Sequence, residues 1–254
     1  MTNVASSRNA GPALALSASK AGALRLGGVT PLSTTDYPGR LSAVLFCQGC
    51  PWSCAYCHNP HLIPANAPAA RDWILTLDFL RRRTGLLDAV VFSGGEPTLQ
   101  AGLAGAMRDV RRLGFQIGLH TAGPYPEQLA EVLPLVDWVG FDVKAPFESY
   151  DRINGALGSG AKVRESLRLL VESGVDHECR TTSHPALITP PQLAALSEEL
   201  FALGARRHVL QAFRAAGCRD ESLNGAGDAA AVARLLEEAA ARSPRAERRG
   251  EVQP

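Results

Sequence analysis

The chain has 254 residues, a formal net charge of +1, 46% hydrophobic residues and 6 cysteines. That is enough apolar material for one full core, and the near-neutral balance argues against a nucleic-acid partner or an acidic membrane surface. No run is long enough to span a bilayer. Ala13–Leu16 is too short for an export-signal core, and a basic leading segment is missing. The cysteines cluster instead of spreading as in a disulfide framework, which points to a reducing, cytoplasmic setting.

Residues 1–24 are rich in Ala, Ser and Gly without a sustained period and read as a disordered leader. Arg25–Thr35 adds a short strand, and Asp36–Gly39 is a turn. Leu41–Phe46 reads as the first core strand, with a cysteine-rich loop directly after it. The pattern then alternates. A helix is expected over Trp73–Arg83, a strand over Ala89–Phe92, and a helix capped by Thr98 and running to Leu113. A strand over Gln116–Leu119, a short helix over Pro126–Leu133 and a strand over Trp138–Val143 follow. Next come a helix over Gly160–Ser173, a strand over Val175–Thr182, a helix over Pro191–Leu203 and a strand over His208–Phe213. A last helix covers Asp228–Ala241, and the polar tail 243–254 is expected to fray, leaving 25–242 as the domain.

Alternating strands and helices imply an α/β fold, with a parallel sheet and helices outside it. Six such units are too few for the complete eightfold barrel. A partial (β/α)6 TIM-like barrel and an open doubly wound sheet both remain, and both put functional groups at the C-terminal ends of the strands. Those ends carry the cysteine loop, Gly94-Gly95-Glu96, His120-Thr121, Asp142 and Lys144, Arg180-Thr181-Thr182 and Gln211.

Cys50, Cys54 and Cys57 stand as C-x3-C-x2-C. Three thiolates so spaced can hold three irons of a cubane 4Fe-4S cluster and leave the fourth iron open to a small molecule. Two rival readings are a zinc site built from Cys47, Cys50, Cys54 and Cys57, and a redox C-x2-C pair. Zinc ribbons usually separate their cysteine pairs by far more residues. A redox pair needs a thioredoxin-like context and leaves two cysteines unused.

An aromatic residue, Tyr56, precedes the last cysteine, and this motif resembles the signature of radical S-adenosylmethionine enzymes. The longer string Gln48-Gly49-Cys50-Pro51-Trp52-x-Cys54-x-Tyr56-Cys57-His58-Asn59-Pro60 is similar to that of the activating enzymes of glycyl-radical proteins. With Thr35-Asp36-Tyr37-Pro38-Gly39 upstream, it looks nearest to the activators of anaerobic ribonucleoside-triphosphate reductase. The resemblance implies a partial barrel of the radical SAM type, with a 4Fe-4S cluster and S-adenosylmethionine as cofactors. It also implies a glycyl-radical enzyme as partner and a flavodoxin or ferredoxin as electron donor. Small-molecule radical enzymes of the 7-carboxy-7-deazaguanine synthase kind are the alternative, and a non-catalytic iron–sulfur or zinc protein is a third reading.

Under the resemblance, Cys50, Cys54 and Cys57 hold the cluster, and Gly94, Gly95 and Glu96 match the Gly-Gly-Glu motif that binds the methionine amino group. Asp142 and Lys144 match an Asp-x-Lys pair on the ribose and carboxylate side. Read alone, the first motif is equally an ordinary strand–helix turn and the second a surface ion pair. Arg180 is suited to a carboxylate by its bidentate fork, and equally to pairing with Glu178 or Glu148. Gln211 is a candidate adenine or ribose contact, and Trp52 and Tyr56 are candidate covers for the cluster or adenine. His120 stands where these enzymes often carry Asp. Cys47, Cys179 and Cys218 read as non-ligands. No catalytic residue is expected beyond the cofactor sites.

Overall fold

A computed structural model of the chain describes residues 24–223 and 229–249. Eight strands make one sheet in chain order: β1 (Leu26–Ser33), β2 (Ser42–Cys47), β3 (Ala89–Gly94), β4 (Gln116–Thr121), β5 (Trp138–Asp142), β6 (Asp176–Ser183), β7 (His208–Ala212) and β8 (Glu247–Arg249). β1 is antiparallel to β2, and every later neighbour pair is parallel. The helices are α1 (Trp73–Arg81), α2 (Leu103–Arg112), α3 (Pro126–Val132), α4 (Asp151–Asn154), α5 (Ser159–Ser173), α6 (Pro190–Ala202) and α7 (Ala229–Arg242). The strand order never reverses. A doubly wound sheet requires a reversal at its switch point, so that alternative falls and a partial barrel remains, open between β1 and β8.

The two faces of the sheet bury different things. Strand side chains alternate, and Ala43, Leu45, Val90, Phe92, Ile117, Leu119, Val139 and Phe141 share one core with Leu77, Leu80, Met107 and Leu167 of the helices. The other face lines the barrel interior. Val44, Ala89, Val91 and Trp138 cluster there with Tyr37, whose ring stacks on Trp138 with centroids 5.2 Å apart. The remaining inner positions include His120, Asp142, Glu178 and Arg180, all buried or half-buried. Local chemistry sets several helix ends. The Asp72 carboxylate accepts the Ile74 and Leu75 amides at the start of α1 (2.8 and 3.1 Å). Gly174 closes α5 in the left-handed conformation.

Three expectations need correction. Thr98 does not cap the second helix. Pro97–Leu99 is a separate 3-10 turn, α2 starts at Leu103 behind Gly102, and the Thr98 hydroxyl donates to Glu96 instead (2.6 Å). The tail does not fray at residue 243, because Ser243 and Ala246 are buried and Glu247–Arg249 pairs with β7. Its polar sequence hid this strand, whose anchor is an ion pair: Arg249 holds the fully buried Glu178 with both terminal nitrogens (2.5 and 2.7 Å). Arg180 pairs with neither Glu178 nor Glu148, as described below. The expected leader 1–24 lies outside the described residues except for buried Leu24, as do residues 250–254 of the tail.

Candidate active site

β2 ends on Cys47, whose side chain enters the helix-side core with no exposed surface. The chain then turns sharply and is pinned. The Gln48 side-chain amide donates to the carbonyls of His61 (3.1 Å) and Pro64 (2.9 Å), and the amides of Gly49 and Cys50 donate to Leu62 and Ile63. Further on, the amides of Ser53 and Ala55 donate to the carbonyls of Asn154 and Ile153 beside α4, and Cys57 N–H closes a turn on Cys54. This brings Cys50, Cys54 and Cys57 to one wall of a cavity of about 180 Å³. The ends of β3, β4, β5 and β6 complete it with Ser93 to Glu96, His120 to Ala122, Asp142, Lys144 and Thr182.

The glycines lie in tight contact with neighbouring backbone. Gly94 has φ +119°, and a Cβ there would lie 2.3 Å from the Cys47 nitrogen; one on Gly95 would lie 2.2 Å from the Gly49 oxygen. The atoms that crowd Gly94 belong to the end of β2 and those that crowd Gly95 to Gly49 and Leu62, so the glycines let the end of β2 and the start of the cysteine loop lie on the end of β3. Glu96 is buried, and its carboxylate accepts from Thr98 N–H (3.0 Å), Thr98 hydroxyl, Thr121 hydroxyl (2.7 Å) and Ala122 N–H (3.1 Å). Burial pushes its pKa up, and the hydrogen bonds from Thr98, Thr121 and Ala122 oppose that shift. The side chain therefore ties the ends of β3 and β4 together while facing the cavity.

On the far wall, Arg180 Nε and Nη2 both reach Asp142 Oδ1 (2.9 and 2.9 Å), and Nη1 lies 3.2 Å from His120 Nε2. Gly140 makes room for this guanidinium, since a Cβ there would sit 2.6 Å from Arg180 Cζ. Arg180 therefore lies behind Asp142 and outside the cavity lining. Burial works against the Asp142 charge, but Arg180, Lys144 and His120 hold its carboxyl below the usual range. The His120 imidazole is pushed down to about 4 by burial first and Arg180 second. As a neutral ring it donates from Nε2 to the Asp36 carbonyl (2.7 Å), which draws the Asp36–Gly39 turn from the N-terminal end of β2 into the barrel interior. Lys144 lies over the Tyr56 ring at 5.6 Å. Gln211 stands beside Thr182 by register, outside the cavity lining.

Tyr150 was not foreseen. It is fully buried, accepts the Lys144 amide (2.9 Å) and donates to the Asp142 carbonyl (3.2 Å), fixing the backbone of both far-wall residues. Its ring meets Trp52 edge-on at 5.8 Å. No motif marked it. Only its place in a short turn after a polar strand end could have drawn notice.

The donor set can be tested against the metals considered. Among the described residues, no three His, Cys, Asp or Glu side chains converge to hold one ion. With Cys47 turned into the core, a tetrahedral zinc site lacks a ligand. Three thiols lining one cavity instead suit a cluster in which each holds a different iron. Burial pushes the Cys50 thiol up to about 12 and raises Cys54 as well, so ligation there is coupled to proton release. Cys179 is buried in the helix-side core, and the Cys218 thiol contacts the carbonyls of Ala55 and Asp220 (3.8 and 3.4 Å).

These features and the sequence agree on a class. The chain belongs to the radical SAM superfamily, whose profile matches residues 44–191, and the cofactors of that superfamily are a 4Fe-4S cluster and S-adenosylmethionine. It is 33% identical over 170 residues to a Methanocaldococcus jannaschii protein bearing the provisional name of glycyl-radical enzyme activating enzyme, covering 63% of this chain and 69% of that one. It is 30% identical over 157 residues to the 7-carboxy-7-deazaguanine synthase of Thermococcus kodakarensis, covering 54% of this chain and 61% of that enzyme. In fold it resembles SuiB of Streptococcus suis, with a TM-score of 0.63 at 13% identity over 80% of this chain and 47% of SuiB. Among the described residues, no helix is long and apolar enough to cross a membrane.

Proposed function

We propose that this protein activates a glycyl-radical enzyme, most specifically an anaerobic ribonucleoside-triphosphate reductase. The observation that carries the reading is the meeting of Cys50, Cys54 and Cys57 with Gly94-Gly95-Glu96 and Asp142/Lys144 in one cavity at the mouth of an open barrel. When bound, the cluster and S-adenosylmethionine supply a one-electron cleavage to methionine and a 5′-deoxyadenosyl radical, which takes a hydrogen atom from a glycine of the partner. The three thiols hold the cluster, the Gly94–Glu96 turn and Lys144 orient the methionine end, and Asp142 faces the ribose. Arg180 keeps Asp142 ionised. Trp52 and Tyr56 wall the cavity against water, with Tyr150 packed behind Trp52. The narrower partner is supported by the Thr35–Gly39 string, because the Asp36 carbonyl binds His120 at the edge of this same cavity. A reduced flavodoxin or ferredoxin is the donor class that fits, and the open side of the barrel is where a protein loop would enter.

The test is anaerobic reconstitution followed by dithionite reduction. Wild type should release 5′-deoxyadenosine and methionine and raise a glycyl-radical signal in the reductase, and Cys50→Ala, Cys54→Ala or Cys57→Ala should abolish both. Cleavage without a glycyl radical, but with turnover of a pterin-derived small molecule, would favour the deazaguanine-type reading. Absence of cleavage by a loaded cluster would overturn both.

A further inference from the structure

After β7 the chain crosses the barrel mouth and lies along the cysteine loop. Three N–H donors of this strap take three loop carbonyls, beside the Cys218 thiol on Ala55. Arg219 N–H donates to Cys57 (2.9 Å), Asp220 N–H to Ala55 (3.2 Å) and Arg219 Nη1 to Ser53 (2.6 Å). In return, His58 Nε2 lies 2.7 Å from the Arg214 carbonyl, and Gly217 passes against the carbonyl of His58. On the loop's other side, the amides of Ser53 and Ala55 are already taken by Asn154 and Ile153. The segment carrying Cys54 and Cys57 is therefore bonded on both flanks, although no regular strand forms there. Arg219 is the strap residue that grips it with both backbone and side chain. Among the described residues, no carboxylate forms an ion pair with Arg219, and that of Asp220 accepts from the Ser222 amide and hydroxyl (3.0 and 2.6 Å).

We infer that Arg219 is a positioning residue for the cluster: by bridging the carbonyls of Ser53 and Cys57 it fixes the spacing of Cys54 and Cys57 and holds an exposed positive charge on the outer side of the loop that carries them. The inference rests on the assignment of Cys50, Cys54 and Cys57 as cluster ligands. A clamp from the far end of the sheet should slow escape of iron, and a nearby cation should favour the reduced cluster.

The experiment compares wild type with Arg219→Ala, Arg219→Lys and Arg214→Ala, the last removing a cation of the same strap whose described bond is through its backbone. Each is reconstituted anaerobically. Iron per chain, the rate of cluster stripping by excess EDTA, the midpoint potential by dye titration and the melting of the cluster-free form are measured. Arg219→Ala should strip about fivefold faster, the equivalent of one ordinary hydrogen bond of about 1 kcal/mol, with a more negative potential and unchanged melting of the cluster-free form. Arg219→Lys should recover most of the potential and part of the stripping rate, and Arg214→Ala should match wild type. Wild-type stripping and potential in Arg219→Ala would overturn the inference alone. So would a loss of cluster-free stability without faster stripping, which marks a merely structural arginine. A wild-type chain that takes up no cluster would overturn the cysteine assignment and this inference with it.

Discussion

The two walls of the cavity are built from different material. On the β2–β4 side, thiols sit on a loop whose backbone presses directly on the end of β3, with Gly94 and Gly95 allowing the contact. On the β5–β6 side, Asp142, Lys144 and Arg180 hold one another through charge and hydrogen bonds, with His120 of β4 beside Arg180 and Tyr150 beneath. The first wall is set by steric fit, and protons matter there through the thiols, whose ligation is coupled to proton release. The second is set by charge compensation and depends on which partners are ionised.

The largest effect should come from the steric wall. Gly94→Ala places a Cβ 2.3 Å from the Cys47 nitrogen at φ +119°, so the cysteine loop must move, and urea unfolding should show a loss of about 3 kcal/mol. A loss below about 1 kcal/mol would mean that backbone contact does not set this wall. Next comes the β6 side. Arg249→Ala leaves Glu178 fully buried with only Arg207 at 3.7 Å, which should cost about 2–3 kcal/mol. Adding Glu178→Gln should recover much of it. If the double variant is no better than the single, the buried charge is not the cause.

Acid should act more gently, and mainly through His208 of β7, which is held by Thr181 and by Ser197 of α6 and lies outside the cavity lining. Burial pushes His208 down to about 4, so the unfolded chain takes up a proton near pH 6.5 while the folded chain does not. The stability contributed by a neutral His208 is therefore present above 6.5 and falls away as pH drops towards 4. Between pH 7 and pH 5 that amounts to about 2 kcal/mol, and His120 acts with the same sign. Urea midpoints of the cluster-free protein should fall over that window, and less steeply in His208→Gln. The smallest effect belongs to Cys47→Ala. Its side chain is in the helix-side core, so stability should drop by about 1 kcal/mol while iron content stays at the wild-type level. Loss of iron would reinstate Cys47 as a ligand.

The steric wall was legible in the sequence because its parts are contiguous. Cys50 to Cys57 and Gly94 to Glu96 are short strings, each following an apolar strand. Even there the role of the glycines was not legible, since nothing in Gly94-Gly95 says that Cys47 and Gly49 lie against it. The charged wall was legible only in its residues. Asp142 and Lys144 stand out at a strand end, but the aim of Arg180 depends on register and on the space left by Gly140. Arg219 carries no local signal, because it acts through backbone groups distant in sequence, and Tyr150 belongs to no motif although the backbone it fixes lies six and eight residues before it. β8 was missed because Glu-Arg-Arg has no apolar alternation, and its stability comes from a partner on β6.

An unclosed sheet has two rims that could add a foreign strand. The rim at β1 carries Pro31, which has no amide to donate, and two register shifts against β2; the rim at β8 is three residues long and charged. Such features discourage edge-to-edge pairing. Among the described residues, the opening of the barrel is thus bordered by two edges that are poor templates for a further strand.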